Sequence, residues 1–192
     1  MKESNKEDRR VKYTKMVLKE AMLDLLRKKT LDKITITEVC KKADINRNTF
    51  YSHYDNTHDL IVEIENEIFE KLLITLSGER DIEKVFQKAC QFLKDNKKIS
   101  EIIFLNRDEM KVFNKFLNHY KELETPATLM TASGQDIEII QQFYKFSEGG
   151  SLAVLEDWVL GGFKEPADQV AKSISYMANA ILQSIHSFKT SV

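Results

Sequence analysis

The 192-residue sequence predicts an all-α protein. Apolar residues recur at the i, i+3, i+4 and i+7 spacing of amphipathic helices in most segments of the chain. Only two prolines and six glycines are present, so long stretches can remain helical without interruption. The 42% hydrophobic share is enough to bury a core. We expect a three-helix N-terminal domain over residues 1–58 and a larger helical domain over residues 59–192.

The first two predicted helices form a supporting scaffold. One runs from Arg9 to Lys28 and presents an apolar stripe to its neighbours. The next helix ends at Asp44, because aspartate tolerates the left-handed conformation that a tight turn between helices requires. Its apolar residues fall on one face of the helix: Ile36, Val39, Cys40 and Ala43.

The third predicted helix carries a candidate DNA-reading surface. Asn46 is a favourable N-cap, and Phe50 and Tyr54 are four residues apart, so both can pack inward. The side chains that project outward are rich in hydrogen-bond donors and almost free of acid, which suits a major groove that offers mainly acceptors. An ordinary solvated helix face is the alternative interpretation. The predicted DNA-binding residues are Thr35, Thr37, Arg47, Asn48, Thr49, Tyr51, Ser52, His53, Tyr54, Thr57 and His58.

The charge distribution agrees with a DNA-binding surface near the N-terminus. Residues 1–57 hold 14 Lys and Arg against 9 Asp and Glu, a balance of +5, whereas the rest hold 15 against 21, a balance of −6. A basic unit on an acidic body would turn its basic face toward DNA, because phosphate contacts supply most nonspecific affinity.

The run AxINRNTFYSHYxNTHDL, preceded by TKxVLKEAMxDLL, resembles the N-terminal domain of TetR-type bacterial transcriptional regulators. The resemblance covers residues 9–65. It rests on Thr14, Ala21, Leu25, Thr37, Ala43, Thr49, Phe50, Tyr51, His53, Tyr54 and Leu60 in order. Asp44 departs from the family pattern, where many members have Gly, and Thr57 stands where many have a phosphate-binding Lys. The RNTFY version looks most like the subgroup that regulates dihydroxyacetone kinase genes.

The fourth helix is predicted to begin near His58, with Asn56 and Thr57 as caps, and to leave N–H groups for a phosphate. Further helices are predicted around residues 85–93, 99–105 and 110–120, before a break at Thr125-Pro126. The last two, about 136–160 and 166–188, would form an antiparallel pair around Gly161-Gly162.

The C-terminal pair is predicted to form a four-helix dimer interface with a symmetric copy, as the resemblance implies for its last two helices. The alternative is that the same stripe is intramolecular core. The predicted interface residues are Ile140, Gly150, Ala153, Val154, Trp158, Ile174, Met177, Ala178, Ile181 and Ile185.

An effector pocket among the central helices is also implied by the resemblance. Its candidate lining is Phe92, Phe104, Met110, Phe113, Phe116, Tyr120, Phe143 and Tyr144, although the same residues can simply fill a core. The sequence has no Gly-rich phosphate loop, no nucleophile elbow and no close Cys or His pair, so we expect no catalytic residue, metal or cofactor. Cys40 and Cys90 are interpreted as buried free thiols.

The leading hypothesis is a homodimeric, sequence-specific repressor that binds a palindromic double-stranded operator and responds to an unknown small-molecule effector. A second hypothesis keeps DNA binding but makes the helical body a docking surface for a protein. A helical enzyme, the third, would need a cluster of titratable groups in a cleft, which nothing in the sequence indicates. No apolar run approaches the roughly 18 residues of a membrane span, so we expect no membrane association and a cytoplasmic location.

Overall fold

The chain folds into helices throughout the parts described by the computed structural model, which are residues 2–79, 81–108, 110–112, 115 and 137–187. Side chains are described for all of these except 2–8, 182 and 185–187. The helices are α1 (Lys2–Leu26), α2 (Ile36–Ala43), α3 (Arg47–Tyr51), α4 (Thr57–Leu76), α5 (Ile82–Asp95), α6 (Lys97–Leu105), α7 (Ile137–Leu160) and α8 (Ala167–Ser187). A 3-10 turn, Leu31–Lys33, follows α1. The predicted all-α class is therefore confirmed.

The predicted helix positions agree with the structure to within a few residues, with two exceptions. Helix α1 begins at Lys2 rather than at Arg9. Most of the helix predicted over residues 110–120, and the predicted break at Thr125-Pro126, lie outside the described residues. Among the helices that the structure describes, none is both long enough and apolar enough to cross a bilayer.

Contacts divide the chain into two units that are not contiguous in sequence. The N-terminal unit contains residues 1–69 and 105–112, and the C-terminal unit contains 70–104 and 113–192. The predicted boundary after residue 58 would separate α4 from the N-terminal helices. The contacts instead keep α4 with those helices as far as Phe69.

A charge cluster explains why the first turns of α4 belong with α1. Glu63 on α4 lies between two lysines of α1, with its carboxylate oxygens 2.9 Å from Lys15 Nζ and 2.6 Å from Lys19 Nζ. Lys19 Nζ also lies 2.5 Å from Glu67 Oε1. Burial opposes ionisation of Glu63, but the hydrogen bonds from Lys19 and Lys15 prevail and lower its pKa to about 2. Beneath these charges, Leu18, Met22, Leu60, Ile61 and Ile64 form apolar core.

Residues 105–112 return to the N-terminal unit through two hydrogen bonds and two buried side chains. Asn106 Nδ2 donates to the carbonyl oxygen of Leu26 over 3.3 Å, at the end of α1. The Lys111 N–H donates to Glu65 Oε1 over 2.7 Å, and Glu65 is itself buried. Met110 and Val112 are buried beside these contacts. No local sequence pattern predicts this return, because its partners are 46 and 80 residues away.

The C-terminal unit is centred on α8, which packs against α5 and α7. Its main core joins these helices with Phe104 of α6: Cys90, Leu93, Phe104, Leu155, Trp158, Val159, Phe163, Ala167, Val170, Ala171 and Ile174. The Trp158 Nε1–H donates to the carbonyl oxygen of Glu165 over 3.0 Å, so the indole is satisfied within the turn between α7 and α8. Gly162 adopts a φ of +85° there, which a residue without Cβ does at little cost.

Replacing Glu63 with glutamine tests the charge cluster. Because the pKa of Glu63 lies below its ordinary value of 4.5, its stabilising effect is present above that pH and is lost as the pH falls toward about 2. We expect Glu63→Gln to lower the free energy of unfolding at pH 7 by about 1 kcal/mol, after allowance for partial solvent screening, and to flatten its acid dependence. Urea titrations at pH 7 and pH 3 measure both effects. Glu70→Gln, an exposed change on the same helix, is the control, and equal stability of both variants at pH 7 would contradict the prediction.

Candidate nucleic-acid interface

The start of α2 is closed by a reciprocal cap. Thr35 Oγ1 accepts from the Glu38 N–H over 3.3 Å, and Glu38 Oε2 accepts from the Thr35 N–H over 3.0 Å. Lys29 Nζ lies 2.6 Å from the other carboxylate oxygen of Glu38. These contacts, led by the hydrogen bond from Lys29, lower the pKa of Glu38 to about 2. The polar groups of Thr35 are thus used within the chain, while Thr37 is exposed.

The turn between α2 and α3 has the predicted conformation. Asp44 is left-handed, with φ 55° and ψ 43°, and its N–H donates to the Cys40 carbonyl. The Ile45 N–H donates to the same carbonyl over 3.0 Å. Asn46 then caps α3 by accepting from the Asn48 N–H over 2.8 Å, as its position in the sequence predicted.

Two aromatic rings fix which face of α3 meets solvent. Phe50 is completely buried and Tyr54 is 5% exposed, with ring centroids 5.6 Å apart. Lys15 Nζ lies 5.4 Å from the Tyr54 ring centroid, on the side of α1. Burial, with the carboxylates of Glu63 and Glu67 nearby, raises the pKa of the Tyr54 hydroxyl.

The other predicted DNA-binding residues are exposed or half-buried, unlike Phe50 and Tyr54. Seven of the predicted side chains are exposed: Thr35, Thr37, Arg47, Asn48, Tyr51, Ser52 and His58. Three are half-buried: Thr49, His53 and Thr57. Tyr54 requires a correction, because its ring and hydroxyl lie inside the N-terminal unit and cannot reach a base or a phosphate without unpacking the core.

Helix α4 begins at Thr57, and Asn56 acts as the predicted cap. Asn56 Oδ1 accepts from the Asp59 N–H over 3.0 Å, and Asp59 Oδ2 accepts from the Asp55 N–H over 3.1 Å. The Asp59 N–H is therefore used by the cap and is not available for a phosphate.

The two lysines on α2 differ in their surroundings. Lys42 Nζ lies 2.9 Å from Asp24 Oδ2 on α1, so its charge is partly neutralised. Lys41 is exposed and forms no ion pair with the residues that the structure describes. Both lysines are exposed, and of the two only Lys42 has its charge partly neutralised by a described carboxylate.

The residues predicted to line an effector pocket belong to more than one group where the structure describes them. Phe104 is buried in the main core of the C-terminal unit, whereas Phe92 packs against the smaller cluster of Leu72, Leu76 and Val85. Phe143 and Tyr144 are half-buried on α7, and Met110 belongs to the N-terminal unit. Phe113, Phe116 and Tyr120 lie outside the described residues.

The predicted dimer-interface residues divide into two groups. Ile140, Trp158, Ile174 and Ala178 are buried within this chain, as the alternative of an intramolecular core predicted for the stripe. Gly150, Ala153 and Met177 are exposed, Val154 and Ile181 are half-buried, and the side chain of Ile185 is outside the described set. Sequence reasoning missed three exposed apolar residues on the same helices, which are Phe146, Leu160 and Tyr176. Helical spacing from Gly150 and Ala153 would have found Phe146 and Leu160, whereas Tyr176 directly precedes Met177 and is not at helical spacing from it.

Comparison with known proteins decides the family. Residues 80–180 match the model for the C-terminal region of TetR-type transcriptional regulators. The chain belongs to the TetR family. Over 107 residues it is 36% identical to YxbF of Bacillus subtilis (strain 168), described as an uncharacterized HTH-type transcriptional regulator. That alignment covers 53% of this chain but only 28% of the length of YxbF.

Solved structures of TetR-type regulators share the fold. A TetR transcriptional regulator from Streptococcus agalactiae 2603V superposes with a TM-score of 0.69 at 21% identity, covering 91% of this chain and 98% of the other. The fatty acid degradation regulator FadR from Bacillus halodurans gives 0.60 at 15%, covering 88% and 94%. The dihydroxyacetone kinase operon activator DhaS gives 0.52 at 17%, covering 92% and 98%. At these identities the likeness concerns the fold alone, so the predicted subgroup stays a prediction.

Replacing Asp44 with glycine tests the turn that orients α3 in this TetR-family chain. A left-handed conformation costs an L-residue energy that glycine does not pay, and glycine is the preferred residue at this point after a helix. We expect Asp44→Gly to stabilise the protein by about 0.5 kcal/mol and Asp44→Val to destabilise it by about 1–2 kcal/mol. Thermal unfolding measures the difference. A valine variant as stable as the wild type would show that the turn relaxes away from this conformation.

Proposed function

We propose that this TetR-family regulator is a homodimeric repressor that binds a palindromic operator in the cytoplasm and responds to a small-molecule effector. The single observation that carries the DNA-binding part is the solvent face of α3. Arg47, Asn48 and Tyr51 are exposed there, and the helix contains no acidic residue. Arginine and asparagine can each pair with the edge of a base in the major groove, and a tyrosine hydroxyl can reach a base or a phosphate.

The dimer part of the proposal rests on an exposed apolar stripe. Its exposed apolar and small residues are Phe146, Gly149, Gly150, Ala153 and Leu160 on α7, with the exposed Asp157 between the last two, and Tyr176, Met177 and Ala180 on α8. Phe146 is 73% exposed and Tyr176 is 78% exposed, which is unfavourable for large aromatic side chains that no other surface covers. The small residues between them would let helices of a second copy approach closely. Two copies would then present two α3 helices to half-sites about one helical turn apart.

The effector part of the proposal rests on the family resemblance. The described aromatic residues do not support it by themselves, because they are divided between separate clusters. The competing proposal is that a different protein covers the exposed stripe. The exposed aromatic residues of the stripe suit a second copy of this chain or another protein equally well. Sedimentation separates the two. A dimer of this chain at micromolar concentration supports the repressor model, and a monomer supports a protein partner.

Substitution of Tyr51 tests the reading face. Operator sites can first be selected from random duplex DNA, where a palindrome is expected. We expect Tyr51→Ala to weaken binding to the selected site by about 1–3 kcal/mol and to relax sequence choice at particular positions, because the side chain would contact base edges.

The matched control is Tyr13→Ala, which removes an exposed tyrosine from α1 in the same unit. Binding titrations at fixed salt measure both variants. An unchanged affinity for Tyr51→Ala would count against this placement of the reading face, and failure of the wild-type chain to bind any duplex at low salt would refute DNA binding altogether.

Substitution of Gly150 tests the proposed dimer. A Cβ at Gly150 would meet no atom within 4 Å, so a larger side chain is compatible with the folded single chain. We expect Gly150→Arg to convert a dimer into a folded monomer, because a charged side chain would prevent close helix approach. Gln141→Arg, on the opposite face of α7, is the control and should remain dimeric. A dimeric Gly150→Arg variant in sedimentation would exclude this part of the stripe from the interface.

A further inference from the structure

The ion pair between Lys29 and Glu38 lies at the start of α2, where Thr35 and Thr37 are predicted to bind DNA. Lys29 Nζ lies 2.6 Å from Glu38 Oε1 and donates to the carbonyl oxygen of Lys33 over 2.8 Å. Glu38 Oε2 accepts from both the N–H and the hydroxyl of Thr35, over 3.0 Å and 2.9 Å. The Glu38 carboxylate thus lies between the ammonium group of Lys29 and Thr35, and it contacts both.

The charge of Glu38 and its capping role can be separated chemically. A glutamine at the third position of a helix closes the same reciprocal cap with threonine, because its amide oxygen accepts the same backbone hydrogen bond. It carries no charge, so it would not hold Lys29 as an ion pair. The carboxylate is therefore not needed for the cap, and its specific effect is to neutralise a cation beside Thr35.

We propose that Glu38 limits the affinity of this regulator for the DNA backbone by holding Lys29 in an ion pair. The inference rests on the proposed function and on the prediction that Thr35 and Thr37, at the start of α2, bind DNA. A lysine released from Glu38 would be available to a backbone phosphate bound beside Thr35 and Thr37. It would displace a condensed counterion from the duplex, which adds affinity that falls with salt and does not depend on sequence.

A second feature points in the same direction. Lys42, in the last turn of α2, is paired with Asp24, and position 57 is a threonine rather than a cation. Two lysines near α2 are thus partly neutralised, and α4 begins without a cation at position 57. The ordinary consequence of weak backbone anchoring is a regulator that leaves DNA readily.

The test uses full-length protein and a duplex of random sequence, so no operator is needed. Affinity is measured by titration at several salt concentrations for the wild type and for Glu38→Gln. We expect Glu38→Gln to bind about fivefold to tenfold more tightly near 0.1 M salt, and the slope of log affinity against log salt to steepen by about 0.9, the value of one phosphate contact.

Two further variants identify the source of any change. Glu38→Gln combined with Lys29→Met should return the slope to the wild-type value, since the released cation is then absent. Asp32→Asn removes an exposed acid from the same loop without releasing Lys29, and should leave the slope unchanged. Thermal melts establish that each variant is folded.

The outcomes separate this inference from the proposed function. The role proposed for Glu38 is overturned, while DNA binding stands, if the wild type binds duplex DNA with a salt-dependent affinity and Glu38→Gln has the same slope. A steeper slope for Glu38→Gln that persists in the double variant without Lys29 has the same meaning.

If Glu38→Gln is unfolded, the salt dependence of Lys29→Met, made in the wild-type background, tests the inference instead. An unchanged slope supports the inference, because the paired lysine makes no phosphate contact, and a slope shallower by about 0.9 overturns it. No duplex binding by the wild type would overturn both proposals.

Discussion

The orientation of α3 depends on the burial of Phe50 and Tyr54. A helix of five residues is far too short to form by itself, since nucleation fixes several residues for a single hydrogen bond. Its ends are fixed by the Asn46 cap and by the left-handed turn at Asp44, and its rotation is fixed by the two buried rings. The exposed donors of α3 face solvent only because these groups hold the opposite side in the core.

Four lysines of the N-terminal unit are paired with carboxylates inside the unit. Lys15 and Lys19 join α1 to α4, Lys42 joins α2 to α1, and Lys29 closes the start of α2. The +5 balance of residues 1–57 therefore overstates the positive charge that is available to a nucleic acid. The uncharged hydrogen-bond donors exposed on α3 are therefore more important to a DNA-binding surface than the net charge suggests.

The sequence predicted the local structure well, because local structure follows from short-range signals. Helical spacing, the tolerance of aspartate for a left-handed turn and the preference of asparagine for N-caps located α2, α3 and the start of α4. The Thr35–Glu38 cap was also readable, since threonine followed three residues later by glutamate is its usual pattern.

The sequence predicted faces and long-range contacts less well. Tyr54 satisfied both an inward and an outward interpretation, and only the packing of α1 and α4 decided between them. On α7 and α8, several apolar residues assigned to the dimer surface are core, because both faces of these helices carry apolar side chains and periodicity alone does not say which face is covered first. The contact of Lys111 with Glu65 joins positions 46 residues apart and has no local signature.

The return of residues 105–112 has a consequence for how the protein is made. While the chain emerges from the ribosome, a nascent product that ends at Phe69 lacks both the Asn106 amide at the end of α1 and the Lys111 N–H at the buried Glu65 carboxylate. Synthesis proceeds at about 5–20 residues per second, so these groups follow roughly 2–9 s later. The N-terminal unit therefore reaches its final packing only after α5 and α6 have been translated.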